Sequence, residues 1–138
     1  ATKEKQVYKN VDEMSDEELC YCLAKVGADE CYIYGESYNS ARDSITNVFE
    51  EGTHKLYRPT QVADQFCTLL DKYKPYVSYD NYCVIVEVIS GHRINLYETK
   101  LNYATFKDYD NNVKKALCKA IVALHYGYEF DLEGLCDE

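Results

Sequence analysis

The chain has 138 residues, 46% of them hydrophobic, and its 15 basic and 24 acidic residues leave a net charge of −9. That length fits one domain, and the apolar fraction supports a buried core, which excludes general disorder. The charge argues against a direct contact with a nucleic-acid backbone, and the longest apolar run, residues 82–89, is far shorter than the roughly 20 residues that span a bilayer.

Residues 1–14 are polar and read as a flexible end. Ser15-Asp16-Glu17-Glu18 follows as a capping box, in which the Ser15 hydroxyl and the Glu18 carboxylate satisfy each other's free amide N–H. Leu19, Cys22, Leu23 and Val26 then recur on one helical face, and Gly27 is the expected stop. Residues 28–38 read as irregular, with a short extended piece at 31–34. Ala41, Ile45, Val48 and Phe49 suggest a weaker helix closed by Gly52. Pro59 and Thr60 are the expected start of the next helix, with Val62, Phe66, Leu69, Leu70 and Tyr73 as its stripe and Lys74-Pro75 as its end.

The apolar period then shortens to that of a strand. Residues 82–89 read as a strand apolar on nearly both faces, hence central or covered on both sides. Ser90-Gly91 signals a turn, and residues 92–98 alternate as an antiparallel returning strand. Residues 102–106 offer a third strand. Asp110 is the expected cap of the last helix, whose stripe is Val113, Ala116, Leu117, Ala120, Ile121 and Leu124 and whose end is Gly127. Residues 128–138 carry several carboxylates and no basic side chain, and read as a second flexible end. The expectation is a single α/β (α+β) domain over residues 1–138, a small antiparallel sheet packed between helices.

Seven cysteines, several in apolar patterns (Cys22, Cys67, Cys83, Cys118), read as reduced thiols of a cytoplasmic protein, since no secretory signal is visible. Cys20-Tyr21-Cys22 with Cys31 lacks the paired spacing of a zinc site, and on a helix the first two point to different sides. His54, His92 and His125 are scattered, with His125 placed to complement the last helix's dipole. No catalytic residue, metal ligand or cofactor is assigned, and the chain reads as a non-enzyme. Of its 15 tyrosines, Tyr73, Tyr76, Tyr79 and Tyr82 crowd the approach to the hairpin. Tyrosines serve either as recognition residues or as core in a chain without Trp, and both readings stay open.

Three segments carry a family resemblance: Met14-Ser15-Asp16-Glu17-Glu18-Leu19, then Tyr57-Arg58-Pro59-Thr60 before a helix, then Lys115-Ala116-Leu117-Cys118-Lys119-Ala120-Ile121 after the hairpin. Over residues 14–126 the chain resembles small phage proteins of the NinX and phage ABA-sandwich type. The resemblance implies an α-β-α sandwich and a phage or prophage accessory role, and it supplies no catalytic residue.

These readings favour a phage-encoded accessory protein that binds and inhibits or modulates a host protein, such as a CRISPR or other anti-phage defence effector, in the host cytoplasm. Its partner would present a basic surface, with no direct contact to nucleic acid or membrane. The expected binding residues are Tyr76 and Tyr79, thrown outward by the Pro75 turn, and Glu129, Asp131 and Glu133 of the tail. The alternatives are an immunity or antitoxin-like protein masking a basic toxin, a small-molecule (nucleotide) binder using Arg58, Arg93 and tyrosines, and a small enzyme.

Overall fold

The computed structural model describes residues 8–25, 31–33, 48–50, 55–89 and 103–132. In chain order these form β1 (Tyr8–Asn10), a 3-10 turn (Val11–Glu13), α1 (Asp16–Lys25), β2 (Cys31–Ile33), β3 (Val48–Glu50) and α2 (Ala63–Tyr73). There follow β4 (Tyr76–Asp80), β5 (Cys83–Ile89), β6 (Tyr103–Asp108), α3 (Val113–Tyr126) and β7 (Glu129–Asp131). The strands pair antiparallel as β1–β7, β2–β3 and β4–β5–β6. Helices pack against these small sheets, so the α+β class expected from the sequence holds.

The core is built around α3. Every residue from 116 to 123 is buried, because β5 and β6 cover one side of the helix and α1 covers another. Leu117, Ala120 and Ile121 are fully buried, as their stripe predicts, but so are Cys118 and Val122. Lys119 is buried too, and its Nζ lies 2.8 Å from Asp12 Oδ1 and 6.0 Å from the centre of the Phe106 ring. The carboxylate and the ring face offset part of the cost of burying that side chain.

α1 starts where the capping box places it. The Ser15 N–H donates to Glu18 Oε1 at 2.9 Å, and the Glu18 N–H donates to Ser15 Oγ at 3.3 Å. Glu18 is buried, and Lys9 Nζ, 2.7 Å from its Oε2, balances its charge. α2 lies along α3 in the same sense, since Lys114 sits over Phe66 near both starts and Tyr73 meets His125 near both ends. Gly127 ends α3 as expected, at φ 89°, a left-handed value that suits a residue without Cβ.

In the three-stranded sheet β5 is central. Val84, Val86 and Val88 are fully buried on the face toward α3, with Ala104 and Phe106 beside them on β6. Of the two alternatives expected from its apolar run, the central position holds and cover on both faces does not: on the outer face Ile85 is half-buried and Glu87 is exposed. β5 also pairs differently from the expectation. Its two edges are taken by β4 and β6, which leaves no place beside residues 84–87 for the returning strand at 92–98, itself outside the described residues. The expected third strand at 102–106 is β6.

Other expectations need correction. The two chain ends are not loose where they are described: β1 pairs with β7, and Val11, Met14 and Leu132 are buried. β3 stands where the end of the weaker helix was expected. Val48 and Phe49 are strand formers, and the backbone pairs them with Ile33 and Tyr32, where a helical stripe of only four residues offers little in competition. The rest of that stretch lies outside the described residues. α2 begins at Ala63, not at Pro59, because residues 59–61 close a tight turn on Arg58 O and Val62 is extended. Asn112 caps α3 in place of Asp110: its Oδ1 accepts the Lys115 N–H at 3.2 Å, while the Asp110 N–H donates to Asp108 Oδ1. Among the described residues no helix is long and apolar enough to cross a membrane.

Candidate protein-binding surface

An edge strand is held by backbone pairing on one side only, so its side chains stay exposed without loss of rigidity. In β4, Tyr76, Val77, Ser78, Tyr79 and Asp80 are all exposed, although the strand is paired with β5 from Tyr76 opposite Glu87 to Asp80 opposite Cys83. Alternation along the strand puts Tyr76, Ser78 and Asp80 on the outer face of the sheet, beside Ile85 and Glu87. Val77 and Tyr79 lie on the other face, beside Val84 and Val86. α3 covers that face over β5 and β6, which leaves Tyr79 71% exposed at the rim, while Tyr76 is 66% exposed. Tyr82 in the hairpin turn and Tyr109 just past β6 are 80% and 70% exposed. Val84 stands in register between Tyr79 and Asp108, so Tyr79, Tyr82 and Tyr109 share one end of the sheet.

Tyr76 and Tyr79 are therefore exposed, but not for the reason given by the sequence. They belong to a strand rather than a turn, and they project to opposite faces. The missed signal was a short run of strand formers, Tyr76, Val77 and Tyr79, bounded by Pro75 and by Asp80-Asn81.

The tail residues lie elsewhere. Glu129 is exposed, Asp131 is half-buried in β7 where it pairs with Tyr8, and Glu133 lies outside the described residues. Just ahead of them the Tyr128 ring packs on Phe106 at 5.5 Å between centres. Its hydroxyl accepts the Thr105 N–H at 3.4 Å and donates to Thr105 O at 3.3 Å. Tyr128 thus closes the β6 edge, and the β7 carboxylates follow on that side. β4 is the opposite edge, two strand spacings or about 10 Å away. Among the described residues, Tyr76 and Tyr79 on β4 and Glu129 and Asp131 on β7 are not joined into one patch.

A second cluster lies between α1 and the turn before α2. Cys20 Sγ is 4.0 Å from Thr60 Oγ1, and both side chains are buried. Burial pushes the Cys20 thiol up to about 11, against the opposing effects of the Arg58 charge and of hydrogen bonds to Thr60. Burial also raises Cys118 well above the ordinary thiol range, with Cys20 and Asp16 nearby adding to it. Thiols raised in this way stay protonated near neutrality and are poor nucleophiles. Arg58, which the small-molecule reading needs in a pocket, is buried; its Nη1 donates to Tyr57 O at 3.1 Å and its Nη2 lies 3.9 Å from Glu17. Cys67, expected within an apolar pattern, is exposed on α2. Among the described residues no three or more His, Cys, Asp or Glu are grouped to hold a metal ion.

His125 sits 3.1 Å, through Nε2, from the Tyr73 hydroxyl. Burial first and the Lys72 charge second lower its pKa, so the cation expected to complement the α3 dipole is disfavoured there. No protein-family model, curated protein or solved structure matches the chain.

Proposed function

We propose that the protein acts by binding another protein that carries a basic surface, with the tyrosines around β4 as anchors. The observation that carries this reading is the exposure of Tyr76, Tyr79, Tyr82 and Tyr109 on and around a paired sheet, in a chain of net charge −9. A large ring on a rigid backbone buries area at small entropic cost and keeps a hydroxyl for hydrogen bonding. An acidic surface around such anchors speeds encounter with a cationic partner. The resemblance to phage accessory proteins gives the reading its biological form, an inhibitor or modulator of a host protein, with anti-phage defence effectors as the first class to examine.

The test is capture of partners by the tagged full chain from its native host, in parallel with a Tyr76→Ala/Tyr79→Ala variant of unchanged melting temperature. A basic protein held by the parent and lost by the variant supports the reading. Identical captured sets from both proteins remove β4 as the binding surface.

A further inference from the structure

The sheet treats its two edges differently. On β6 the outward N–H and C=O of Thr105 are both bonded by the Tyr128 hydroxyl. The direction of these groups fixes those of the other strands, because successive residues of a strand point their amides to alternate sides. Thr105 is turned away from β5, so Glu87 opposite it is turned toward β4 and bonds Tyr76. Val77 and Tyr79, which alternate with Tyr76 and Ser78, then present their N–H and C=O outward from β4. Neither forms a hydrogen bond on that side among the described residues, and no strand is paired there. Pro75 stands one step earlier in the same alternation, where an edge tolerates a residue without N–H.

We infer that β4 receives an extended segment of the partner as a fourth strand, and that this segment alternates basic and apolar residues. The inference rests on the reading of β4 as a protein-binding surface and adds its mode and the chemistry of its ligand. The donors and acceptors of Val77 and Tyr79 supply the backbone pairing. Side chains of an added strand on the outer face would lie beside Tyr76 and Asp80, with Glu87 one strand further in. Two carboxylates and an exposed ring select arginine or lysine there, through ion pairing and cation–π contact. Side chains on the opposite face would lie beside Val77 and the Tyr79 ring, which select apolar residues. Charge decides against a second copy of this chain as the occupant: it would bring two bodies of net charge −9 together and repeat the same carboxylates across the seam.

The experiment uses the full chain, isotope-labelled for amide detection, and a short acetylated and amidated peptide of alternating arginine and valine. Saturable binding that protects the Val77 and Tyr79 amides from exchange is expected. N-methylation of alternate peptide amides should weaken binding about tenfold or more, as loss of two backbone hydrogen bonds implies. Val77→Pro in the protein removes one outward donor and should weaken the parent peptide about five- to tenfold. The N-methyl comparison stands even if that variant folds poorly. Equal, salt-sensitive binding of both peptides overturns strand addition and leaves an acidic, Tyr-rich surface as the binding mode. Absence of binding by the parent peptide overturns strand addition as well, while partner capture decides the broader reading separately. A self-associated protein whose Val77 and Tyr79 amides are already protected overturns it in favour of a second copy.

Discussion

At the residue scale, burial decides which titratable groups can act. Cys20 and Cys118 are buried and raised, Cys22 and Cys83 are buried, and Cys67 is exposed. Alkylation of the native protein should therefore mark Cys67 first among these five, and Cys20, Cys22, Cys83 and Cys118 only on unfolding. Peptide mapping checks this; fast native labelling of Cys20 would contradict its burial. His125 gives a pH prediction. Its folded pKa lies below the ordinary 6.5, so between those two values the unfolded chain binds more protons than the folded one. Stability contributed by the neutral ring is present above about pH 6.5 and is lost as pH falls from there through the lower folded value. A His125→Gln variant should show a shallower loss of melting temperature across that window, and an unchanged slope would show that His125 does not contribute it.

At the scale of elements, the long helix was the most legible and the edge strand the least. α3 announced itself through Val113, Ala116, Leu117, Ala120, Ile121 and Leu124, a stripe long enough to be unambiguous. Its near-complete burial was hidden, because Cys118, Lys119 and Val122 lie off that stripe and are covered only by distant segments, Cys118 near Cys20 of α1 and Lys119 by Asp12 and Phe106. Leu117 is fully buried, so Leu117→Asp should cost several kcal/mol and unfold the domain at ordinary temperature. A cooperative melt at the parent temperature would place α3 outside the core. The capping box was legible for a different reason: its partners are three residues apart, so no distant contact is needed to form it.

At the scale of the whole molecule, the tyrosines divide between the two roles that composition left open. Tyr21 and Tyr57 are core, while Tyr76 and Tyr79 on β4, Tyr82 in the turn after it and Tyr109 just past β6 face solvent. The division follows from coverage by α1, the turn before α2, and α3. The separation of β4 from the β7 carboxylates makes the two groups separable in kinetics. Once a basic partner is identified, its association rate should fall as salt rises, and Asp80→Asn/Glu87→Gln should lower that rate. Tyr79→Ala should instead raise the dissociation rate, with a cost of about 1–2 kcal/mol expected for an aromatic anchor. Glu129→Gln should change little, because the residue lies beyond the β6 edge. Stopped-flow or surface-based kinetics distinguish these outcomes, and a Glu129→Gln effect larger than that of Tyr79→Ala would move the interface to β7.

The sequence by itself determined the α+β class, α3, the capped start of α1, the strand character of β5 and β6, and the acidic, Tyr-rich character of the chain. Each depends on residue type or on spacings of a few positions, where local backbone geometry sets the outcome. Only the tertiary structure decided that β5 takes β4 as its neighbour, that β1 and β7 pair, and that Tyr76 and Tyr79 stand on a strand with no further strand paired to it among the described residues, while Tyr128 closes the other edge. The β1–β7 pairing and the Tyr128 contact join segments far apart along the chain, and although β4 meets β5 through the short Asn81-Tyr82 turn, strand-forming residues alone do not specify which strand they will meet. That choice is made by what α3 covers, since burial of Val84, Val86 and Val88 against it fixes the face and register of β5 from which the other strands take theirs.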